Sequence, residues 1–294
     1  MKVLISGASG LIGTELNLQL KAQGHQVVRL VRRPARSAEE LSWSPGLTAL
    51  EPAALSYIDA VINLAGATTG KIPWTKKYEK ELIASRLDST KTLVDAINAC
   101  PNPPKVLISG SASGIYGDQG DQWLDESSPK GEGFLADLAY QWEESAKLAR
   151  TRVVLVRTTM VMSKKLGALG KLLPLIKLGI GGALGSGRQW WAWISLEDEA
   201  RAIIHLIENE TASGAYNLTA PEPATCKQII KELGRQLHRP TLIKVPAFAM
   251  RLLIGKAADE LLLCSQKMKS HRLEKTGFVF KHPTLTESVG YVLN

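Results

Sequence analysis

The sequence predicts an α/β fold, a doubly wound parallel sheet with helices on both faces. Three observations carry that reading. Short β-branched runs alternate with longer amphipathic stretches through residue 158. The short runs are almost continuously apolar, as strands buried on both faces must be. A glycine triplet lies between the first run and the first amphipathic stretch, where such folds make their tightest βα turn.

The elements follow in order. "KVLIS" (2–6) reads as a strand and "LIGTELNLQLKAQG" (11–24) as a helix closed by Gly24. "HQVVRLV" (25–31) is a second strand, and "DAVINLAG" (59–66) a strand running into a turn. A long helix fills 76–99, a strand 105–110, a helix 133–150 and a strand 152–158. Beyond Thr158 the alternation breaks into the Gly-rich "LGALGKLLPLIKLGIGGALGSG". "QWWAWI" (189–194) then reads as a strand and "LEDEARAIIHLIEN" (196–209) as a helix, and the tail from Pro221 as short helices. Residues 1–160, completed by part of 185–220, are therefore expected to form a dinucleotide-binding domain. Residues 161–294 are expected to form an interleaved, smaller and mostly helical substrate lobe.

Bulk properties narrow the function. The chain has 294 residues, enough for one large core or two interleaved lobes. No run of ~18 apolar residues could span a bilayer, and Gly-rich sequence follows the first apolar run too soon for a secretory signal. Cys100, Cys226 and Cys264 are far apart, which argues against a zinc site or disulfide framework and suits a reducing cytoplasm. His25, His205 and His271 lack metal-ligand spacing. A net charge of +8 reads first as a basic soluble surface, then as attraction for phosphorylated small molecules. No nucleic-acid motif or membrane segment accompanies it, and nothing specifies an oligomeric state.

"ISGASGLIG" places Gly7, Gly10 and Gly13 in the order GxxGxxG between strand and helix. Gly7 permits the tight turn, Gly10 lets backbone approach a pyrophosphate, and Gly13 lets helix pack close on strand. The helix start, with Ser9, Leu11 and Ile12, offers free N–H groups and the positive dipole end to phosphates. An acid holding a ribose 2′-hydroxyl is due near position 31, but Val31 is followed there by Arg32 and Arg33. Guanidinium groups bind a 2′-phosphate that a carboxylate repels, so NADP(H) is expected over NAD(H); a solvated basic loop is the alternative.

With these features the chain resembles the extended short-chain dehydrogenase/reductase superfamily of the NAD-dependent epimerase/dehydratase type. "GASGLIG", "DAVINLAG", "SGSASGIYGD" and "WISLEDEARAI" stand in that family's order. More narrowly it resembles the atypical YfcH-like group of sugar-nucleotide epimerase relatives. "SRLDSTKTLVDAI", "LGSGRQWWAWI" and the tail "ELLLCSQKMKSHRLEKTGFVFKHPTL" carry that likeness. The resemblance implies a Rossmann fold with a smaller C-terminal substrate lobe and a nucleotide cofactor. It implies that Leu64, Ala65 and Gly66 line the adenosine–ribose side and that Ser109 sits near the nicotinamide ribose. The YfcH-like group keeps the glycine motif and lacks the usual active-site residues.

That lack is visible here. The superfamily spaces a catalytic Tyr and Lys four apart on one helix, whereas Tyr140 and Lys147 are seven apart. On helix 133–150, Leu135, Leu138, Ala139, Trp142, Ala146 and Ala149 form the core stripe. Tyr140 and Lys147 fall roughly 130° from it, with Cα atoms ~10 Å apart along the axis. Matching the family's helix puts Leu135 and Ala139 at the Tyr and Lys positions. The usual Ser or Thr is replaced by Ala112, flanked by Ser111 and Ser113. Ser111 and Tyr116 remain the catalytic candidates, each also readable as a packed loop residue.

Other polar residues have two readings each. Arg86, on the long helix, approaches the cofactor or stands on an outer face. Ser195 and Asp198 fit a helix cap. Trp191 and Trp193 wall a substrate pocket or pack in a core. Lys164, Lys165 and Arg188 are candidate anion contacts. Two functions follow: an NADP(H)-dependent oxidoreductase or epimerase acting on a small polar substrate, or a non-catalytic NADP(H)-binding sensor.

Overall fold

The structure, a computed structural model, describes residues 1–164 and 167–293. β1 (Lys2–Ser6), α1 (Leu11–Ala22), β2 (Gln26–Val31) and β3 (Glu40–Ser42) form the first right-handed unit. β4 (Ala60–Asn63), α2 (Lys76–Ala99), β5 (Val106–Ala112), β6 (Trp123–Leu124), α3 (Phe134–Lys147) and β7 (Arg152–Thr158) follow. Then come β8 (Met160–Met162), α4 (Gly167–Lys177), β9 (Trp193–Ser195), α5 (Leu196–Glu208) and β10 (Gly214–Leu218). The chain ends with α6 (Cys226–Gln236), α7 (Ala247–Ile254), β11 (Lys267–Met268), α8 (His271–Glu274) and α9 (Leu285–Leu293).

Seven parallel strands make the central sheet, ordered β10-β7-β5-β4-β1-β2-β3. The order reverses between β1 and β4. Their carboxyl ends therefore open the crevice in which such sheets bind ligands. Strand alternation divides the apolar residues between two layers. Val3, Ile5, Ile62 and Ile108 face α1 and α5, packing on Leu16, Leu20 and Ile203. Leu4, Val61 and Leu107 face the other side with Leu93 and Ile97 of α2. Each fully buried Leu or Ile contributes roughly 1.5–3 kcal/mol, so a sheet covered on both faces is what these strands require.

A separate apolar cluster joins residues from β8 onward, including Leu173, Trp191, Trp193, Ile229 and Val289. One element was not foreseen and one expectation is corrected here. The Gly-rich stretch contains α4, whose Leu169, Leu173 and Ile176 are buried at helical spacing despite Pro174 inside it. "QWWAWI" is a strand only from Trp193, pairing with β8, while Trp190 makes an isolated bridge to Thr225. Lys165 lies outside the described residues.

Candidate functional site

The turn from β1 into α1 is built on glycine for two different reasons. Gly7 has φ +70°, and a Cβ there would lie 2.6 Å from the Leu64 carbonyl oxygen. Gly13 has ordinary helical backbone, but its Cβ would lie 2.3 Å from the Gly7 oxygen. Gly10 differs from both. Its backbone is extended (φ −76°, ψ 175°) and its Cβ would meet only the Gly7 oxygen, at 3.2 Å. Its N–H donates to the Gly7 oxygen at 2.9 Å. Gly10 is the N-cap of α1, and no side chain caps that end. The positive end of the α1 dipole thus points into the crevice without an acidic side chain to neutralise it.

A cleft of about 710 Å³ lies there, lined by Gly7, Ala8, Ser9 and Gly10, by Arg29 to Arg33, and by Leu64 to Ala67. That volume is within the ~300–1,000 Å³ usual for ligand sites. Its floor is set by a buried polar staple that the sequence reading missed. The Ser6 hydroxyl donates to Asn63 Oδ1 at 2.6 Å and accepts from the Ala65 N–H at 3.2 Å. Asn63 Nδ2 donates to Thr90 at 2.9 Å, and Trp142 Nε1 donates to the same hydroxyl at 2.9 Å. This ties β1, β4, α2 and α3 together beneath residues 64–66. Polar residues at strand ends in an apolar sequence are the signal that could have found it.

The basic end of the cleft is asymmetric. Arg33 holds Glu40 through both guanidinium nitrogens at 2.8 Å, Arg29 adds a bond at 3.1 Å, and the Arg36 N–H donates at 2.9 Å. The Arg33 hydrogen bond, then the Arg36 N–H, pull Glu40 down to about 2. Arg32 is exposed and has no ion-pair or hydrogen-bond partner among the described residues. Arg86 lies behind the floor, half-buried, donating to the Ala67 and Leu82 carbonyls at 3.1 Å and stacked over Trp142. Burial lowers it to about 10, and no carboxylate pairs with it among the described residues. A Cβ on Gly66 would sit 3.2 Å from the Arg86 guanidinium carbon.

Not every expected residue reaches the cleft. The side chain of Ile12 packs on the α1–α5 core, and Gly13 is buried. Neither these nor Leu11 lines the cleft, so α1 presents backbone to it. Ser109 is fully buried in the middle of β5, opposite Asn63 of β4, and its hydroxyl donates to the Gly110 oxygen at 3.3 Å. Arg86, likewise, stands behind the cleft wall.

Ser111 and Tyr116 both lie in a buried polar network. The Ser111 hydroxyl donates to Glu143 at 2.6 Å, and Glu143 is held by Arg157 in a buried two-point ion pair at 2.8 and 3.0 Å. Arg157 also donates to the Tyr116 hydroxyl at 2.7 Å, which itself donates to Asn217 at 2.7 Å. Burial pushes Tyr116 up to about 12 against the pull of Arg157. Burial works against the charge of Arg157 too, but Glu143 and Tyr116 hold it above its ordinary range. Both candidate hydroxyls are therefore committed to a network joining β5, α3, β7 and β10. Leu135 packs on Gly114, where a Cβ would come within 3.1 Å of it, so apolar contact fills the place of the family's tyrosine.

The remaining residues are readily placed. Tyr140 is exposed on α3, and Lys147 pairs with Glu144 at 2.6 Å, away from the cleft. Ser195 caps α5, accepting from the Asp198 N–H at 3.0 Å. Trp191 and Trp193 are buried in the second core. Lys164 and Arg188 are exposed. Among the described residues no cluster of His, Cys, Asp or Glu could hold a metal ion, and no helix is long and apolar enough to cross a membrane.

Comparison with known proteins accords with this architecture. Residues 3–219 match the NAD dependent epimerase/dehydratase family, and residues 245–290 a domain of unknown function, DUF1731. An epimerase family protein of Mycobacterium leprae (strain TN) is 40% identical over 292 residues, 98% of this chain and 94% of its own length. A chloroplastic SDR39U1 homolog of Arabidopsis thaliana is 34% identical over all of this chain and 87% of its own. The crystal structure of human epimerase family protein SDR39U1 (isoform 2) with NADPH superposes with a TM-score of 0.90 at 32% identity, covering 99% of both chains. With its seven-stranded Rossmann sheet and glycine turn, the chain belongs to the NAD dependent epimerase/dehydratase family, in its SDR39U1-like branch of atypical short-chain dehydrogenase/reductases.

Proposed function

We propose that this protein binds NADP(H) in the 710 Å³ cleft and uses it in oxidoreductase or epimerase chemistry on a small polar, nucleotide-linked substrate, without the usual Tyr–Lys pair. The observation that carries the reading is the pairing of an uncapped helix end with an unopposed arginine. The α1 N-terminus and Gly10 receive the pyrophosphate, residues 64–66 receive the adenosine–ribose side, and the free Arg32 receives the 2′-phosphate. Arg33, already engaged by Glu40, stiffens the turn behind it. The NADPH in the human relative supports this choice of cofactor. The substrate class rests on the fold, which is shared with MoeE5 in complex with UDP-glucose and NAD (TM-score 0.77, 20% identity).

A bound nicotinamide supplies or accepts the electrons of the reaction. This chain's part is to hold the reacting carbon against it and to exclude water. A second reading, a non-catalytic NADP(H) sensor, draws on the commitment of Ser111 and Tyr116 to the buried network and on the apolar Leu135. Titration of NADPH and NADH at low salt tests the shared premise. About tenfold tighter NADPH binding is expected from one well-formed arginine–phosphate contact. Equal affinities or a preference for NADH would contradict it. NADPH oxidation with a panel of nucleotide sugars then separates the enzyme from the sensor.

A further inference from the structure

Reduction of a carbonyl consumes one proton at the new hydroxyl oxygen, and neither Ser111 nor Tyr116 is free to give it. A buried acid stands at the carboxyl edge of the sheet. Glu199, in the first turn of α5, is fully buried. The hydroxyl of Thr158, the last residue of β7, bonds its Oε1 at 2.6 Å. Its Oε2 is buried with no partner. An unpaired, buried carboxylate oxygen is costly, so the geometry calls for the neutral acid. Burial pushes the group up to about 8, opposed only by the Thr158 bond.

The charged groups around it look elsewhere. On α5 itself, Glu197 faces Lys281 and His282, while Asp198 is held by Arg201 and by the Lys281 and His282 N–H groups. On the packed α1, Glu15 accepts from Gln19 and Lys21 pairs with Glu39. Arg157 of β7 points to the opposite face, toward Glu143. His205 bonds Thr276. None of these contributes to the shift of Glu199.

We propose that Glu199 is the proton reserve for a nicotinamide bound along the carboxyl edge of the sheet, acting through the half-buried hydroxyl of Thr158, which ends β7 beside Ala112 of β5 just outside the cleft lining. This rests on the reading that NADP(H) binds in the cleft. As a substrate carbonyl gains hydrogen on carbon from the reduced cofactor, its C=O electron pair moves to oxygen. The Thr158 hydroxyl, which donates to Glu199 Oε1 at rest, turns to give its proton to that oxygen, and Thr158 then takes the proton of Glu199. Glu199 is left a carboxylate beside the oxidised, cationic nicotinamide, and solvent restores its proton when the product leaves. A neighbouring positive charge favours the carboxylate. Glu199 therefore ionises more readily beside NADP⁺ than beside NADPH.

The experiment needs no substrate. Dissociation constants of NADP⁺ and NADPH are measured from about pH 6 to about pH 9. Both carry the same 2′-phosphate, so its ionisation cancels in their ratio. In the unmodified protein NADP⁺ binding should strengthen relative to NADPH by threefold or more (roughly 0.7 kcal/mol) as pH rises. Glu199→Gln should flatten the ratio. Thr158→Val, which leaves the acid but removes the bond that lowers it, should move the transition to higher pH. A flat ratio in the unmodified protein, an unchanged slope in Glu199→Gln, or an unmoved transition in Thr158→Val would overturn the proposal. Failure of both cofactor forms to bind would overturn the cofactor reading itself, a distinguishable result.

Discussion

Arg32 and Arg33 are neighbours in sequence with opposite surroundings: one is free, the other is clamped by Glu40. Arg32→Ala should therefore cost about tenfold in NADPH affinity and leave NADH unchanged, as loss of one charge-assisted bond implies. Arg33→Ala should weaken both cofactors alike by loosening the turn. Titration of each variant with both cofactors checks this, and the reverse pattern would exchange the two roles. Sequence showed the missing acid at Val31 and the two arginines. It did not show which was engaged, because Glu40 reaches them only through the pairing of β2 with β3. Glu199 was illegible as a buried acid for a similar reason, since three successive acids at a helix start read as dipole partners. Its folded-state value of about 8 lies above the ordinary 4.5. Its contribution to stability is thus whole below about pH 4.5 and lost as pH rises through about 8. The unfolding free energy of Glu199→Gln, read from melting curves, should therefore gain on that of the unmodified protein between these limits, by at most ~1.4 kcal/mol per pH unit. Parallel melting curves across that range would show the carboxyl already ionised.

Helix α3 separates stripe from surface. Leu138, Ala139, Trp142, Ala146 and Ala149 of the expected stripe are buried. Glu143 is also buried, and its spacing of four from Ala139 and three from Ala146 placed it there. A charge on the stripe was the available sign of a buried ion pair. Glu143→Ala strands Arg157 and should destabilise the fold by ~3–5 kcal/mol, read by denaturant unfolding. Tyr140→Phe and Lys147→Ala should each stay within ~0.5 kcal/mol and leave NADPH affinity unchanged. A binding loss in either would place that face of α3 in the site. Elements set by distant partners were harder to read. β3 is three residues long, and β10 is stabilised by pairing with β7, some sixty positions earlier. α4 was hidden by its glycines and Pro174, although Leu169, Leu173 and Ile176 keep helical spacing.

At the scale of the whole molecule, the reversal of strand order between β1 and β4 places a glycine turn, an uncapped helix and a basic loop around one crevice. The alternation of apolar runs was enough to foresee the parallel sheet. The contact of Leu135 with Gly114 depends on loop geometry that periodicity does not encode. A ligand that binds only the folded state stabilises it by ~2.7 kcal/mol at a hundredfold excess over its dissociation constant, so NADPH should raise the melting temperature. The most direct measurement is calorimetric titration of NADPH into the unmodified protein and into Gly10→Val. At Gly10 the backbone angles suit any residue, an added Cβ meets only the Gly7 oxygen, at 3.2 Å, and the side chain would stand beside the proposed path of the pyrophosphate. The expected result is a variant that melts cooperatively near the unmodified temperature, yet shows no NADPH heat and no NADPH-induced rise in melting temperature. An unchanged NADPH affinity in folded Gly10→Val would contradict the placement of the cofactor in this cleft.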